Sequence, residues 1–366
     1  MDCILGQNRA IDELQAALRS GRLHHAWIFH GPVGVGKFTT ALAYAQILLC
    51  HDHGTGTTSS VDLCQTCPSC NLFKKNNDGS ASIHPDLHII TKELARYSDM
   101  RHIRERKLMN IPVEVLRTSL VEPVYRAAGL RHNKVFIIDE AELLVSTGQN
   151  LLLKTLEEPP KGTHLILVTS SEDRLLPTIR SRCQQVGFLP LPNKVIADWL
   201  GRQPKKLDEP AQHWLLQFAE GSLGRAKLAI EYDLFQWAEV VLPALDGMFN
   251  GRFDPDMGQQ MSQRIDAFAK QWVDEHKNAS KEAANKQAAA LMWQIIGGEA
   301  RQRLASLAAS CDPSNLGASE AALQPWLGVI DALDLAQRNL DSNVNLGLTC
   351  DHLAMMINRT LSTATT

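Results

Sequence analysis

The sequence has no strong excess of charge of either sign, because its 366 residues carry a formal net charge of −3. A chain this close to neutrality is not a bulk binder of polyanions, so any contact with nucleic acid must come from a local patch or from a partner chain. The sequence also lacks an apolar run of the ~18–20 residues that a bilayer-spanning helix needs. These absences exclude a helical membrane protein and a protein that binds nucleic acid through its overall charge.

Two further features are missing: a signal peptide and an internal repeat. The stretch Met1–Gln7 shows no basic region followed by an apolar core, so we expect a cytoplasmic protein. With 44% apolar and 21% charged residues, the composition is that of an ordinary globular protein. A chain of this length has room for two or three domains.

The first informative stretch is glycine-rich and reads GPVGVGKFT from Gly31 to Thr39. It follows a short apolar run and opens an alanine-rich helical run, and strand, glycine loop and helix are the context of a phosphate-binding loop. Backbone N–H groups of such a loop surround the phosphates, and its lysine adds a positive charge. The alternative is a glycine-rich turn with a chance lysine. The candidate nucleotide-binding residues of this stretch are Gly31, Gly34, Val35, Gly36, Lys37, Phe38 and Thr39.

The residue after the lysine departs from the phosphate-loop pattern. That position normally carries Ser or Thr, whose hydroxyl binds Mg²⁺, and here it is Phe38. Thr39 lies about 100° further round a helix, so it does not simply replace the missing hydroxyl. We therefore predict an ATP/Mg²⁺ site by descent, with its hydrolytic competence in question.

Four of the eight cysteines lie between positions 50 and 70. Clustered cysteines in a cytosolic protein favour a metal over disulfides. The pattern Cys64-Gln65-Thr66-Cys67-Pro68-Ser69-Cys70 has gaps of two residues, and Cys50 completes a Cys₄ set suited to tetrahedral Zn²⁺. Four thiolates leave no open coordination position, so we expect a structural zinc, with reduced free thiols as the alternative. The predicted ligands are Cys50, Cys64, Cys67 and Cys70.

A second apolar run, Val135–Ile138, leads into Asp139 and Glu140. Ligands of open α/β sheets sit at the carboxyl ends of the strands, so both acids are expected to face the phosphate loop. Asp139 would hold Mg²⁺ and Glu140 would orient an attacking water. An acid pair that caps the next helix is the alternative. Thr169 ends the next predicted strand and is a candidate sensor of the γ-phosphate.

These stretches together resemble the bacterial clamp-loader subunits of DNA polymerase III, which are of the AAA+ class that includes replication factor C. The resemblance is close over residues 1–232 and concerns only architecture beyond them. Within the family, His84-Pro85-Asp86-Leu87 favours the delta-prime branch over the tau/gamma ATPase branch. The other stretches that carry the resemblance are Leu5-Gly6-Gln7, Gly31–Lys37, the four-cysteine insert, Asp139-Glu140, Leu153–Pro160 and Ser181-Arg182-Cys183.

The resemblance implies an α/β plus all-α chain of three domains. The first is a RecA-like AAA+ parallel-sheet domain over residues 1–190, with a zinc-binding insert at about 50–70. A small helical lid domain covers residues 191–232, and a helical collar for oligomerisation covers residues 233–366. The long amphipathic helical patterns after residue 233 fit the collar.

The resemblance also implies a function in DNA replication, in which ATP-driven machinery loads the sliding clamp onto primed DNA. The arginine of the Ser-Arg-Cys stretch, here Arg182, would reach the ATP of a neighbouring subunit as an arginine finger. The implied partners are the tau/gamma and delta subunits, with the clamp and DNA contacted through the complex. The chain itself would not polymerise nucleotides.

Its own ATPase would be weak or absent, because two positions depart from active family members. One is Phe38, and the other is Gly224, where active members carry an arginine that senses the γ-phosphate. The alternatives are a catalytically active tau/gamma-type subunit, a stand-alone P-loop enzyme such as a nucleotide kinase, and a scaffold that binds no nucleotide. For Arg182 itself the alternative is an ordinary surface arginine that follows a helix. The basic run Arg101–Lys107 is either a solvated loop or a contact with phosphates.

Overall fold

The computed structural model of the chain describes residues 4–21, 23–51, 63–73, 84–104, 110–130, 132–275, 280–310 and 316–362. Most of the polar spacer inside the predicted zinc insert, and residues 105–107 of the basic run, therefore lie outside the described residues. The chain divides into two compact units. The first comprises Met1–Arg202 with Glu220–Gly224, and the second comprises Gln203–Ala219 with Arg225–Thr366.

The first unit contains a five-stranded sheet in which every pairing is parallel. Its strands are β1 (Ala26–His30), β2 (Leu87–Ile90), β3 (Lys134–Ile138), β4 (Thr163–Thr169) and β5 (Gln184–Gly187). Their order across the sheet is β2-β3-β4-β1-β5. The register pairs His30 at the end of β1 with Thr169 at the end of β4. Since parallel strands share their carboxyl edge, the loops after β1, β3 and β4 emerge side by side.

Nine helices of this unit lie in the described residues. They are α1 (Asn8–Ser20), α2 (Lys37–Leu49), α3 (Pro68–Leu72), α4 (Arg101–Arg104), α5 (Val113–Leu116), α6 (Glu122–Val124), α7 (Ser146–Glu157), α8 (Pro177–Arg180) and α9 (Asn193–Gly201). A π-helical turn, Arg117–Val121, joins α5 to α6. Short 3₁₀ turns cover Lys92–Tyr97, Ala141–Leu143 and Glu172–Arg174.

The sheet is covered on both faces, which explains the continuous apolar runs of its strands. Successive side chains of a strand point to opposite faces. Trp27 and Phe29 of β1 therefore pack with α1 and α2, whereas Ile28 joins a second core with residues of α5 and α7. The sheet is thus held from both sides, and its carboxyl edge is a rigid support for the loops that follow.

The second unit is helical in its described residues. Its helices are α10 (Glu209–Ala219), α11 (Leu223–Glu231), α12 (Leu234–Phe249), α13 (Met257–Glu275), α14 (Lys281–Ser310), α15 (Leu316–Asp341) and α16 (Leu346–Ser362). The first two residues of α11 belong to the first unit. Helix α14 packs against α13 and α15, and α16 packs against α12, α13 and α15. None of the described helices combines the length and apolarity needed to cross a membrane.

The predicted fold class, a parallel α/β domain followed by an all-helical part, is confirmed. The predicted division into three domains stays a prediction. Residues 191–232, expected to form a lid, are shared between the two compact units, because α9 belongs to the first and α10 to the second.

Candidate nucleotide and metal sites

The glycine-rich loop joins β1 to α2, which confirms the strand–loop–helix context predicted from the sequence. Gly34 and Gly36 have φ angles of 76° and 103°, in the region where a side chain is strained, so glycine is required at both positions. Gly36 immediately precedes the first turn of α2, whose N-terminus favours negative charge. Val35 between them is buried, and Gly31 also has a positive φ, 138°.

Lys37 is folded back onto its own loop. Its Nζ donates hydrogen bonds to the carbonyl oxygens of Gly31 and Pro32, each at 2.6 Å, and the residue is only 6% exposed. Burial lowers the pKa of Lys37, while the carboxylates of Glu142 and Asp139 act in the opposite direction. A cation in this place can attract a phosphate, provided that it leaves the two carbonyls.

The first turn of α2 shows where the missing hydroxyl would have been. Phe38 is half-buried against the core formed with α1 and α2, so it serves packing. Thr39 is exposed, and the hydroxyl of Thr40 donates to the carbonyl of Gly36 at 2.9 Å. The expected magnesium-binding position thus carries an aromatic ring.

Asp139 follows β3 at the carboxyl edge of the sheet, as predicted. Its backbone N–H donates to the carbonyl of Ile90, and one carboxylate oxygen accepts from the N–H of Glu140 at 3.0 Å. Burial raises the pKa of Asp139, and the hydrogen bond from the Glu140 N–H opposes this. The charges of Glu140 and Glu142 raise the pKa further, and that of Lys37 lowers it. A partly desolvated carboxylate beside a buried lysine is suited to hold a metal–phosphate group.

Glu140 makes a contact that the sequence did not predict. It has a left-handed backbone, with φ 49°, and its carboxylate forms an ion pair with Lys92 at 2.8 Å. Lys92 opens the 3₁₀ turn after β2, on the far side of β3 from the phosphate loop. A water-orienting role for Glu140 stays a prediction, and in this structure its charge is engaged by Lys92.

Glu142 was missed by the sequence analysis, although it lies three residues after Asp139. Its carboxylate accepts hydrogen bonds from the backbone N–H and the hydroxyl of Ser170, just after β4. Burial alone would raise the pKa of Glu142, but hydrogen bonds from Ser170 and Thr169 lower it overall. Thr169 itself is 1% exposed, and its hydroxyl oxygen accepts from the N–H of Ser171 at 3.1 Å. The candidate sensor is therefore part of a network with Glu142.

A second missed residue is Gln7. Its amide nitrogen donates to the carbonyl of Val35 at 3.1 Å and to that of Leu189 at 2.8 Å. Its amide oxygen accepts from the N–H of Leu189, just beyond β5. The residue is 4% exposed. Gln7 thus ties the phosphate loop to the edge of the sheet, and its place in Leu5-Gly6-Gln7 was the one available signal.

Arg182 lies two residues beyond α8. In the described part of the chain its side chain contacts α7 and α8 rather than the phosphate loop. Its guanidinium forms an ion pair with Glu157 at 2.8 Å and donates to the carbonyl of Thr178 at 3.0 Å. The side chain is 37% exposed. The neighbouring Cys183 is half-buried in the core, and burial raises its pKa to about 12. The arginine is anchored yet open to solvent, the condition that a contact with another chain needs.

The four predicted cysteines converge, with their sulfur atoms all within 4.8 Å of one another. The Sγ of Cys50 lies 3.4 Å from that of Cys64 and 3.5 Å from that of Cys70. The Cys64–Cys70 sulfur distance is 3.8 Å and the Cys50–Cys67 distance is 4.0 Å. Zinc–sulfur bonds of ~2.3 Å in a tetrahedron place sulfurs ~3.8 Å apart, whereas a disulfide needs ~2.05 Å. The spacing fits one tetrahedral metal ion.

Backbone N–H groups orient the thiolates of this cluster. The N–H of Cys67 points at the Sγ of Cys64, and that of Cys70 points at the Sγ of Cys67. Backbone hydrogen bonds from Thr66 and Cys67 lower the pKa of Cys64 to about 6. Burial raises the pKa of Cys70 in the same cluster, so the thiols do not ionise alike. The convergence of the four sulfurs shows that the cluster can bind a metal ion, and its identity as zinc stays a prediction.

The stretch His84-Pro85-Asp86 supports the cluster from the sheet side. His84 hydrogen bonds through Nε2 to the hydroxyl of Ser69 at 2.9 Å, and its ring stacks on Phe73 at 4.9 Å. The buried carboxylate of Asp86 accepts from the N–H groups of Gly129 and Leu130. This stretch therefore has a structural role. From the sequence it was recognised only as a marker of resemblance.

The sheet order, the phosphate loop after β1 and the acidic pair after β3 define the first unit as an AAA+ α/β domain. The comparison with protein families goes further. The family model described as "DNA polymerase III, delta subunit" matches residues 6–192, slightly more than half of the chain. The chain belongs to this family, which confirms the resemblance predicted from the sequence.

Curated relatives agree with this assignment. DNA polymerase III subunit delta' of Bacillus subtilis is 33% identical over 197 residues, which is 54% of this chain and 52% of that protein. Subunit delta' of Escherichia coli is 30% identical over 234 residues, 64% of this chain and 63% of that protein. Subunit gamma/tau of Mycobacterium bovis is 32% identical over 199 residues, 54% of this chain and 30% of that protein. The chain thus spans less than two-thirds of the length of each of these relatives.

Proposed function

We propose that this chain is a delta-prime-type subunit of the DNA polymerase III clamp loader. In that role it assembles with tau/gamma and delta subunits and donates Arg182 to the ATP site of a neighbour. The machine then uses ATP to load the sliding clamp onto primed DNA. The delta' relatives support the assignment to this branch, although gamma/tau subunits match the chain about as well.

A contrast between two sites carries the proposal. The chain's own phosphate loop has Phe38 where a magnesium-binding hydroxyl is expected. Arg182, by contrast, has an anchored guanidinium that is open to solvent. An arginine finger supplied in trans is worth ~10³–10⁵ in rate at the site it reaches. The chain is therefore better suited to assist hydrolysis at another subunit than to catalyse it.

The two bound ligands in the proposal are a structural Zn²⁺ on Cys50, Cys64, Cys67 and Cys70, and an optional ATP/Mg²⁺ at the phosphate loop. The sulfur spacing supports the first. Lys37 and Asp139 support the second, while Phe38 weakens it.

The experiment is a reconstitution of the loader with tau/gamma and delta subunits, followed by assay of its DNA- and clamp-stimulated ATPase. We expect Arg182→Ala to remove the share of turnover carried by the adjacent site, with assembly intact by size. Arg180→Ala is the matched control, since Arg180 lies in the same segment and pairs with Asp173 at 3.7 Å.

Unchanged turnover with Arg182→Ala would remove the finger and favour a scaffold that binds no nucleotide. Failure of the wild-type chain to assemble would contradict the clamp-loader function itself. A monomer with phosphotransfer activity would instead favour a stand-alone P-loop enzyme.

A further inference from the structure

Arg182 is held by two different elements of the first unit. Its Nη2 lies 2.8 Å from Oε1 of Glu157, the last residue of α7. Its Nη1 donates to the carbonyl of Thr178 in α8 at 3.0 Å and lies 3.5 Å from the hydroxyl of Ser181. The guanidinium is thus fixed on one side by a charge and on the other by backbone.

The distance between these two elements is set by the hydrophobic core. Leu156, next to Glu157, is 2% exposed, and Ile179 of α8 is fully buried in the same core. Helix α7 cannot continue past this point, because Pro159 and Pro160 follow it. Buried neighbours and a fixed helix end therefore place the Glu157 carboxylate beside α8 before any partner is present.

We propose that Glu157 is a positioning residue for Arg182, orienting its guanidinium toward the nucleotide of the neighbouring subunit. This inference rests on the proposed function. An arginine has five N–H donors in a planar fork, and the contacts above use those of Nη1 and one of Nη2. Within the described residues the Nε–H and the second Nη2–H make no further contact, so they are left to meet phosphate oxygens in a fixed direction. Pre-ordering a long side chain removes part of the cost of ordering it on contact.

The pair is exposed, with 37% of the Arg182 side chain and 50% of the Glu157 side chain accessible. Exposed ion pairs add little to folding stability. Removing Glu157 should therefore leave the fold and the assembly unchanged and act on turnover alone. That separation makes the positioning role testable.

The test uses the fully reconstituted loader and its DNA- and clamp-stimulated ATPase. We expect Glu157→Ala to lower kcat by about 2- to 10-fold, the rate equivalent of ordering one long side chain. The KM for ATP should stay unchanged, because the neighbour binds the nucleotide. Glu157→Gln, whose amide oxygen still accepts from the guanidinium, should lie between Glu157→Ala and wild type. Glu158→Ala, at the exposed adjacent residue, is the matched control and should match wild type.

The double variant with Arg182→Ala decides whether Glu157 acts through the arginine. Two residues that work as one unit are not additive, so the double variant should equal Arg182→Ala alone. A further loss in the double variant would overturn the positioning role. Wild-type kcat for Glu157→Ala, with Arg182→Ala impaired, would overturn this inference alone. Wild-type turnover for both single variants would overturn the arginine finger of the proposed function, and this inference with it.

Discussion

The backbone N–H of Gly224 donates a hydrogen bond to the carbonyl of Gly34 at 2.9 Å. The approach is so close that a Cβ on Gly224 would lie 2.8 Å from the Cα of Gly34. A Cβ on Gly34 would in turn lie 2.3 Å from the hydroxyl of Ser222. The phosphate loop therefore packs directly on the segment 220–224. Glycine at position 224 permits this contact.

Gly224→Ala should destabilise the first unit. The new methyl group would meet backbone, which cannot rotate away as a flexible side chain does, so the segment must shift. Overpacking of this kind typically costs ~1–3 kcal/mol. We expect the free energy of unfolding in urea to fall by that amount, with the loss concentrated in the transition of the first unit.

Gly201→Ala is the matched control for this substitution. Gly201 ends α9 in the same unit, and a Cβ there would meet nothing within 4 Å. Alanine should be neutral or stabilising by up to ~1 kcal/mol at such a helical position. Equal stabilities of the two variants would contradict the close approach of Gly224 to Gly34.

Local patterns predicted the elements well, because their causes are local. The strand and the helix on either side of the Gly31–Lys37 loop were predicted, and β1 and α2 do flank it. The convergence of Cys50 with three cysteines that lie 14 or more residues later was also predicted, because four thiolates are a common ligand set for one metal ion. Both rest on rules that relate residue type directly to geometry.

The contacts that the sequence did not reveal are tertiary. Lys92 pairs with Glu140 across 48 positions, and Gln7 reaches Leu189 across 182. No spacing rule connects such residues, because the sheet order brings them together. The same holds for Glu142, whose contact with Ser170 exists only because β3 and β4 are neighbours.

The cysteine cluster should bind one zinc ion per chain. Cys64→Ser removes a thiolate whose pKa is already low, about 6, because of backbone hydrogen bonds from Thr66 and Cys67. Loss of a ligand should weaken zinc binding by more than the ~10–100-fold that loss of a ligand's hydrogen-bond partner costs. Elemental analysis would measure the number of zinc ions per chain, and competition with a chromophoric chelator would measure the affinity for zinc.

Two further variants give an intermediate case and a control for this prediction. His84→Ala removes the hydrogen bond to Ser69, between the ligands Cys67 and Cys70, and should weaken binding less than Cys64→Ser does. Cys350→Ser, a buried thiol in α16, should retain a full zinc ion whatever its effect on stability. If wild-type protein that has been purified and refolded in the presence of zinc contains no zinc, the metal site is contradicted.

Because His164 is buried, the free energy of unfolding should decrease as the pH is lowered. Burial lowers its pKa to about 4, with His25 and His132 acting in the same direction and a hydrogen bond at His24 against them. The unfolded chain takes up a proton near the ordinary value of 6.5, whereas the folded chain does so only near 4. This contribution is therefore complete above pH 6.5 and is lost as the pH falls toward 4, by up to ~3 kcal/mol.

The measurement is urea unfolding at several pH values between 7 and 4. His164→Gln cannot titrate, so its stability should change less steeply with pH, whatever its stability at pH 7. Part of the slope should remain, because burial also lowers the pKa of His25, His84 and His88. His102→Gln, at an exposed position, should keep the wild-type slope. An unchanged slope for His164→Gln would contradict the assignment.

The isolated chain should show no magnesium-dependent ATP turnover. Phe38 replaces the hydroxyl that holds Mg²⁺, and Lys37 is engaged by the carbonyls of Gly31 and Pro32. Gly224 packs against the loop and has no side chain that could sense a phosphate. The changes at Phe38 and Gly224 act together with the engaged Lys37, so Phe38→Thr alone should restore no turnover. Lys37→Ala is the background control and should equal wild type in phosphate release.

Turnover that requires magnesium and disappears with Lys37→Ala would contradict the prediction. Such a chain would be a catalytically active tau/gamma-type subunit, and Arg182 would then act within a ring of working sites.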